Sequence, residues 1–225
     1  MENNLVGITF FNSELDRDLL KIFYVKTFIF FCYEPPSNYH GDVDLISTCE
    51  FEELNEKTVF LQSRLVKFFP WRYIQEYENF VYSDYRIDVH RIFFSDIDPS
   101  NFPLFLRHRE EGVYLDELLR NIDRNRISSE LFYHINNLVC AKFDLPISEN
   151  GVLCLKKSNY MSFDEFQKEI YIIQRDQLVV PALIKIPMAY WKYNLNNLKY
   201  FHVNSKEFSV KNFLKRLFSF FYSRF

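Results

Sequence analysis

One stretch of the chain, Thr27–Cys32, has the sequence TFIFFC, a run dominated by aromatic and aliphatic residues. A continuous apolar run of this kind is typical of a strand that is buried on both faces of a mostly parallel sheet. Short apolar runs at Leu5–Phe11, Val43–Ser47, Asn79–Ser83 and Gly151–Leu155 predict further strands. Together these runs predict a central sheet.

Helical patterns alternate with these runs. The segment Thr58–Phe69 predicts a helix that Pro70 ends, and apolar residues at helical spacing predict another around Tyr114–Ile122. Ser128–Lys142 is a further helical segment, and the capping-box pattern at Ser162 predicts the start of one more. Strands that alternate with helices predict an α/β fold with helices flanking the sheet.

The composition limits the classes of protein. A length of 225 residues favours one domain, and no repeat or Gly/Ser-rich linker divides the chain. Only 4 glycines occur and none lie close together, which excludes a P-loop and a G-x-G-x-x-G dinucleotide site. A net charge of −3 gives no support to nucleic acid as a partner.

Cysteine usage and the N-terminus bear on the compartment. The 4 cysteines are scattered, form no C-x-x-C motif and are expected to be buried thiols of a reduced compartment. The first residues lack the basic region of a secretory signal. The apolar stretch Phe23–Tyr33 contains Lys26 and is shorter than the ~20 residues that span a bilayer. These features predict a cytoplasmic protein.

Residues 206–225 carry an excess of positive charge, unlike the rest of the chain. This difference predicts a main domain at 1–205 and a basic tail at 206–225. Five cations and one anion lie in this tail. One apolar stripe at helical spacing runs along it: Val210, Phe213, Leu214, Leu217, Phe218 and Phe221. The pattern predicts a C-terminal amphipathic helix that binds an anionic membrane surface through 209–225. Docking on the protein's own core or on a second subunit is the alternative.

Asp84 directly follows the strand predicted at Asn79–Ser83. In open α/β sheets, ligands bind beyond the carboxyl ends of the strands, so this carboxylate is a candidate site residue. Many nucleotide-sugar transferases present a metal-binding Asp in this way. Here Arg86 stands where a D-x-D motif would have its second Asp, so a solvated loop carboxylate is the competing interpretation.

Several segments, taken in order, carry a resemblance to a known family. They are Phe28–Pro35 (FIFFCYEP), Arg64–Lys67 (RLVK) followed by Pro70, Tyr77–Ile87, Arg107–Arg109 followed by Val113–Glu117, Asn150–Lys156 (NGVLCLK) and Arg175–Leu178 (RDQL). Their order and spacing resemble a family of bacterial and plant glycosyltransferases whose plant members include mucilage-related and turgor-regulation proteins. Lys156 and Lys157 depart from this pattern, because they stand where the family has Arg-His.

The resemblance implies a single GT-A-like domain that moves a sugar from a nucleotide diphosphate donor, with UDP-sugars favoured. It implies a glycan or lipid-linked acceptor and a role in surface polysaccharide or lipopolysaccharide synthesis at the inner face of the membrane. A divalent cation, Mn²⁺ or Mg²⁺, is left open as a cofactor, because Arg86 could take over part of its role. A catalytically inactive nucleotide- or glycan-binding relative is one alternative, and a protein-interaction module is another.

The chemistry of sugar transfer suggests roles for individual residues. The charge that grows on the leaving pyrophosphate must be neutralised by a metal or by fixed cations, for which Arg64, Lys67 and Arg86 are candidates. Asp84 is the candidate metal ligand or ribose partner. An inverting reaction also needs a carboxylate base. Asp176 is our choice of base, with Asp116 and Glu117 as alternates, and the resemblance adds His108, Lys156, Arg175 and Gln177 to the donor site.

Two of these assignments have structural alternatives. Arg64 and Lys67 would also fit a polar stripe on a helix surface. Arg175 and Asp176 would also fit a surface ion pair, which would contribute at most ~1 kcal/mol.

Overall fold

The computed structural model describes residues 5–11, 28–33, 44–84, 102–107, 113–140, 142, 144–158, 160–185 and 189–194. The predicted tail at 206–225 lies outside these residues, as do the candidate site residues Arg86 and His108. The division of the chain at residue 205 therefore stays a prediction.

The described residues form one seven-stranded sheet with the order β3-β2-β1-β4-β6-β5-β7. Neighbouring strands are parallel except where β6 pairs with β4 and with β5, both antiparallel. The strands are β1 (Leu5–Phe11), β2 (Phe28–Cys32), β3 (Asp44–Ser47), β4 (Asn79–Ser83), β5 (Leu104–Arg107), β6 (Ser148–Lys156) and β7 (Ala189–Asn194).

Six α-helices and two short 3₁₀ turns accompany the sheet in the described part of the chain. The helices are α1 (Glu52–Asn55), α2 (Val59–Phe68), α3 (Tyr114–Asp123), α4 (Ser129–Val139), α5 (Phe163–Ile173) and α6 (Asp176–Leu183), and the 3₁₀ turns are Thr48–Glu50 and Pro70–Arg72. Within the described ranges, none of these helices has the length and apolar character needed to cross a membrane.

These elements confirm the expected α/β fold class with a mostly parallel central sheet flanked by helices, and the GT-A-like assignment stays a prediction. Local signals explain why the helices begin and end where they do. The Thr58 hydroxyl accepts a hydrogen bond from the Leu61 backbone N–H at 3.3 Å and caps α2. The Ser162 hydroxyl does the same for α5, accepting from the Glu165 N–H at 3.4 Å. Pro70 follows α2 and prevents its continuation, as predicted.

Four strands and α-helices of the described residues were not predicted from the sequence: the short helix α1, β5, α6 and β7. The strand β5 has only 4 residues, which is too short for an alternating pattern to be evident. The helix α6 contains Pro181, which normally indicates the end of a helix. The strand β7 has the mixed sequence AYWKYN, so its apolar residues do not form a continuous run.

The cysteine expectation is only partly correct. All four thiols are free; Cys32 and Cys154 are buried, whereas Cys140 is exposed. Cys140 ends α4 in the left-handed conformation, with φ of 50°. A residue at such a terminus lies at the surface of the helix layer rather than beneath it, which explains its exposure.

Aromatic packing joins α2 to α5 beneath the sheet. Phe68 at the end of α2 lies 5.0 Å, ring centre to ring centre, from Phe166 of α5. Tyr160 is fully buried, and its hydroxyl donates a hydrogen bond to the Phe68 carbonyl at 2.6 Å. Burial raises the pKa of Tyr160, so this hydroxyl stays a neutral donor. The contact fixes the last turn of α2, which includes Lys67.

Tyr160→Phe removes the hydroxyl and leaves the buried Phe68 carbonyl without that partner. We expect the free energy of unfolding to fall by about 1–3 kcal/mol, as for other buried polar groups that lose a partner. Urea denaturation at pH 7 measures the change. Tyr133→Phe is the matched control, because Tyr133 is 68% exposed, and an equal loss in the two variants would contradict the interpretation.

Candidate functional site

The strand order places the candidate site where ligands bind in open α/β sheets. From β1 the sheet continues to β2 and β3 on one side, while β4 lies on the other side of β1. Such a reversal of strand order opens a crevice at the carboxyl ends of the two diverging strands. Asp84 is the residue that follows β4, so it lies at this crevice.

Hydrogen bonds from the backbone and from the side chain hold Asp84 in place. Its backbone N–H donates to the Gly151 carbonyl of β6 at 2.7 Å, which extends the β4–β6 pairing by one residue. Its Oδ1 accepts a hydrogen bond from the Tyr82 hydroxyl at 2.9 Å. Burial, and then the Asp84 charge, raise the pKa of Tyr82 well above its ordinary value. Tyr82 therefore stays protonated and donates to the carboxylate.

The role of Tyr82 was not predicted from the sequence, although a signal exists. Side chains two residues apart in a strand project from the same face. An aromatic hydroxyl at Tyr82 is therefore on the same side of the chain as the Asp84 carboxylate that it contacts.

The helix α2 supplies two cations from one face. Arg64 and Lys67 are three residues apart, so their side chains are neighbours on the helix surface. Leu61, Leu65 and Phe68 from the same helix are buried in the core. Lys67 is itself almost fully buried, with a side chain only 3% exposed, whereas the Arg64 side chain is 26% exposed. The sequence-based alternative of a solvated polar stripe is thus wrong for Lys67.

The Lys67 ammonium lies between two carboxylates. Its Nζ is 3.2 Å from Oδ2 of Asp176 and 3.7 Å from Oδ1 of Asp84. The same nitrogen lies 4.9 Å from the ring centre of Tyr82 and 5.5 Å from that of Phe68. The faces of aromatic rings attract cations, so these rings add to the stabilisation of a charge that has little access to water.

Asp176 is the first residue of α6, where the helix dipole favours a negative charge. Burial raises the pKa of this carboxyl, but the charges of Lys67 and Arg64 outweigh burial and hold the pKa below its ordinary value. The Arg64 Nε lies 3.7 Å from the Asp176 Oδ2. Burial lowers the pKa of Arg64, but the negative groups around it, with Asp176 the strongest, raise it overall. Asp176 and Arg64 are therefore both ionised at neutral pH.

We call Arg64, Lys67, Asp84 and Asp176 the charge cluster. All four were predicted as site residues from the sequence, and the structure brings them together from α2, the end of β4 and the start of α6. The start of α6 is held by Tyr114, whose hydroxyl donates to the Leu178 carbonyl at 2.9 Å. The cluster is thus supported by hydrogen bonds on each of its three elements.

Arg175 is a further cation next to the cluster. Burial, then repulsion by Arg126, lower the pKa of Arg175, while Asp176 acts in the opposite direction. Its neighbour Gln177 is half-buried in the first turn of α6. Arg175 and Gln177 flank Asp176 in the sequence, and their roles in a donor site stay predictions.

Other predicted residues are not part of the cluster. Lys156 pairs with Asn79, at the start of β4, and is exposed. Asn79 and Ser83 are four residues apart in β4, which corresponds to a distance of about 13 Å along the strand. Because β6 is antiparallel to β4, Lys156 lies at the sheet edge opposite Asp84.

Asp116 and Glu117, the two alternate candidates for the catalytic base, form hydrogen bonds within α3 or at its start. Asp116 accepts a hydrogen bond from the Val113 N–H at 3.0 Å and so caps α3. Glu117 is buried and contacts Asn121 at 2.7 Å and Arg120 at 3.0 Å. Neither carboxylate contacts the charge cluster through any of these bonds, and their roles as alternate bases stay predictions.

The charge cluster does not fit a divalent cation while Lys67 is in place. A metal ion must approach carboxylate oxygens to about 2.0–2.2 Å, and both carboxylates of the cluster already lie beside the Lys67 ammonium. A doubly charged ion about 4 Å from that ammonium would be repelled by about 8 kcal/mol at an effective dielectric constant of 20. Nowhere in the described ranges do three His, Cys, Asp or Glu side chains come together to hold a metal ion.

No family model matches the chain, and no curated protein matches it. One solved structure that resembles it is the galactosyltransferase LgtC, in complex with donor and acceptor sugar analogues. That match has 12% sequence identity and a TM-score of 0.44, and it covers 82% of this chain and 73% of the other. A likeness this weak carries no conclusion about activity, and the narrower family named above stays a prediction.

The pKa of Asp176 predicts how the stability of the protein depends on pH. Because its pKa is lower in the folded state, its ion pairs stabilise the fold fully above the unfolded-state pKa of about 3.9 and are lost as pH falls through the folded-state value. Asp176→Asn should reduce the free energy of unfolding at pH 7 by about 1.5–3 kcal/mol, the range for a lost hydrogen bond to a charged group.

Urea denaturation of both proteins between pH 7 and pH 3 measures this difference. We expect it to be constant near neutral pH and to shrink below about pH 4, where Asp176 takes up a proton in the unfolded chain while it is still ionised in the folded protein. A difference that is absent at pH 7 would show that the ion pairs do not stabilise the fold.

Proposed function

We propose that the protein is a glycosyltransferase that moves a sugar from a nucleoside diphosphate donor, with UDP-sugars favoured, to a glycan or lipid-linked acceptor. The observation that carries the proposal is the charge cluster at the crevice beside β4, where Asp176 pairs with Arg64 and Lys67, and Lys67 also lies beside Asp84. The expected pathway is surface polysaccharide or lipopolysaccharide synthesis.

The cluster suits the departure of a nucleoside diphosphate. Breaking the bond between the sugar and its phosphate leaves negative charge on the pyrophosphate, and catalysis requires cations that are already in position. Arg64 and Lys67 are fixed by Asp176 before any ligand binds. Asp84 has a side chain that is 42% exposed, so it can accept hydrogen bonds from a ligand in the crevice, such as those from ribose hydroxyls.

Asp176 is the proposed base that takes the proton of the acceptor hydroxyl if the reaction inverts. Its lowered pKa ensures that it is ionised, as a base must be. The same ion pairs weaken its affinity for a proton, which limits its strength as a base. Arg175 and Gln177, on either side of Asp176, are proposed donor contacts, and the unplaced Arg86 and His108 are proposed to complete the donor site.

The proposal includes a location at the inner face of the cytoplasmic membrane. It rests on the sequence of 206–225, whose basic and apolar residues alternate at helical spacing. Such a helix binds anionic lipid through both its charge and its apolar face.

Nucleotide binding tests the donor site directly. At a concentration of one hundred times Kd, a bound nucleotide adds about 2.7 kcal/mol to the free energy of unfolding. For a chain of this size this raises Tm by about 5–10 °C. The measurement is thermal unfolding with UDP, GDP, CDP and CMP. We expect a rise with one nucleotide in the unmodified protein, and no rise with any of them would contradict a donor site.

Arg64→Met tests whether the charge cluster is the site. Loss of one charge-assisted contact to phosphate should weaken nucleotide affinity by about ten- to 100-fold. Lys168→Met is the matched control, because the Lys168 side chain is 71% exposed and lies on α5, away from the cluster. Titration calorimetry gives the affinities, and equal affinity in both variants would place the donor elsewhere.

A second candidate function is nucleotide or glycan binding without transfer. The observation that favours it is the pairing of Asp176 with two cations, which makes this carboxylate a weak base. Incubation with labelled UDP- and GDP-sugars and a panel of glycan acceptors separates the two. Transfer that Asp84→Ala abolishes supports the enzyme, whereas tight binding with no product supports the second candidate.

A further inference from the structure

We propose that this site binds its nucleoside diphosphate without a divalent cation, because the ammonium of Lys67 occupies the position between Asp84 and Asp176 that a metal ion would need. The inference rests on the proposed function, since it concerns how the same site neutralises the phosphates. It selects fixed cations over the Mn²⁺ or Mg²⁺ cofactor, an alternative that the sequence left open.

The position of Lys67 is well determined by its surroundings. The side chain is 3% exposed, and its Nζ contacts Asp176 at 3.2 Å and Asp84 at 3.7 Å. The Tyr160 hydroxyl holds the next residue of α2 through the Phe68 carbonyl at 2.6 Å. Moving the ammonium aside for a metal ion would leave it buried without these carboxylates, and an unpaired buried charge is strongly unfavourable.

The charge balance of the cluster matches that of a metal site. A divalent ion between two carboxylates gives a neutral group. Arg64 and Lys67 bring the same two positive charges to the same two carboxylates, Asp84 and Asp176. Arg175, beside Asp176, adds one more positive charge, which favours an anionic ligand.

Both cations of α2 keep the capacity to bind phosphate. The Lys67 ammonium has three N–H donors; Asp176 at 3.2 Å is within hydrogen-bond distance and Asp84 at 3.7 Å is not, so these carboxylates leave donors for a ligand. The guanidinium of Arg64 is partly exposed and contacts Asp176 only at 3.7 Å, beyond a hydrogen bond. A diphosphate in the crevice can thus be contacted by fixed cations from one helix.

The first experiment is titration calorimetry of the full chain with UDP, GDP, CDP and CMP, in EDTA and again with Mn²⁺ or Mg²⁺. We expect the nucleotide that binds to have the same Kd within about threefold with and without metal. Binding that is at least tenfold tighter with metal overturns this proposal but leaves the donor site standing. No binding under either condition overturns the donor site, and this proposal with it.

The second experiment measures the metal alone. Lys67→Met removes the ammonium and leaves the two carboxylates facing each other, so it should bind Mn²⁺ at least tenfold more tightly than the unmodified protein. It should also lose nucleotide affinity at least tenfold in EDTA. Lys168→Met is the control and should match the unmodified protein in both measurements. Thermal unfolding checks that each variant is folded.

A titration of the unmodified protein with Mn²⁺ tests the proposal without relying on Lys67→Met. Weak binding, with Kd in the millimolar range or above, is expected. Tight Mn²⁺ binding that Asp84→Asn abolishes would show that the ion reaches the carboxylates despite Lys67, and would overturn the proposal.

Discussion

The buried ammonium of Lys67 is the group on which the arrangement of the site depends. A charge with almost no access to water requires carboxylate partners, because its desolvation is otherwise uncompensated. Asp176 and Asp84 supply them from the start of α6 and the end of β4. The Lys67 side chain on α2 thereby contacts a strand and a helix that are far apart in the sequence. These contacts lie at the edge of the sheet where the strand order reverses.

In the function that we propose, the same pairs that compensate the burial of charge also prepare the site for an anionic donor. Cations that are fixed before a ligand arrives do not need to reorganise when negative charge develops, so they stabilise it more than mobile side chains would. Buried tyrosines keep this arrangement rigid: Tyr82 binds Asp84, Tyr114 holds α6 and Tyr160 holds α2. The high aromatic content of the chain therefore contributes polar contacts as well as apolar packing.

The sequence predicted where strands and helices lie along the chain, but it did not predict the direction in which a strand runs in the sheet. Leu5–Phe11, Asn79–Ser83 and the helix after Thr58 were predicted because apolar runs, caps and a following proline are local signals. Lys156 shows the limit. The resemblance grouped it with the donor residues, yet the antiparallel pairing of β6 places it at the opposite edge of the sheet from Asp84. Strand direction depends on how the chain returns to the sheet, which no local pattern records.

The sequence by itself determined the α/β class, the placement of Asp84 after a strand, and the presence of Arg64 and Lys67 on one helix face, since each follows from the spacing of nearby residues. Only the tertiary structure decided that Lys67 is buried and that Asp176 meets it. Burial and long-range pairing depend on how α2, β4 and α6 pack together. Whether a lysine is a solvated surface charge or the centre of a site is therefore settled by packing and not by its neighbours in the chain.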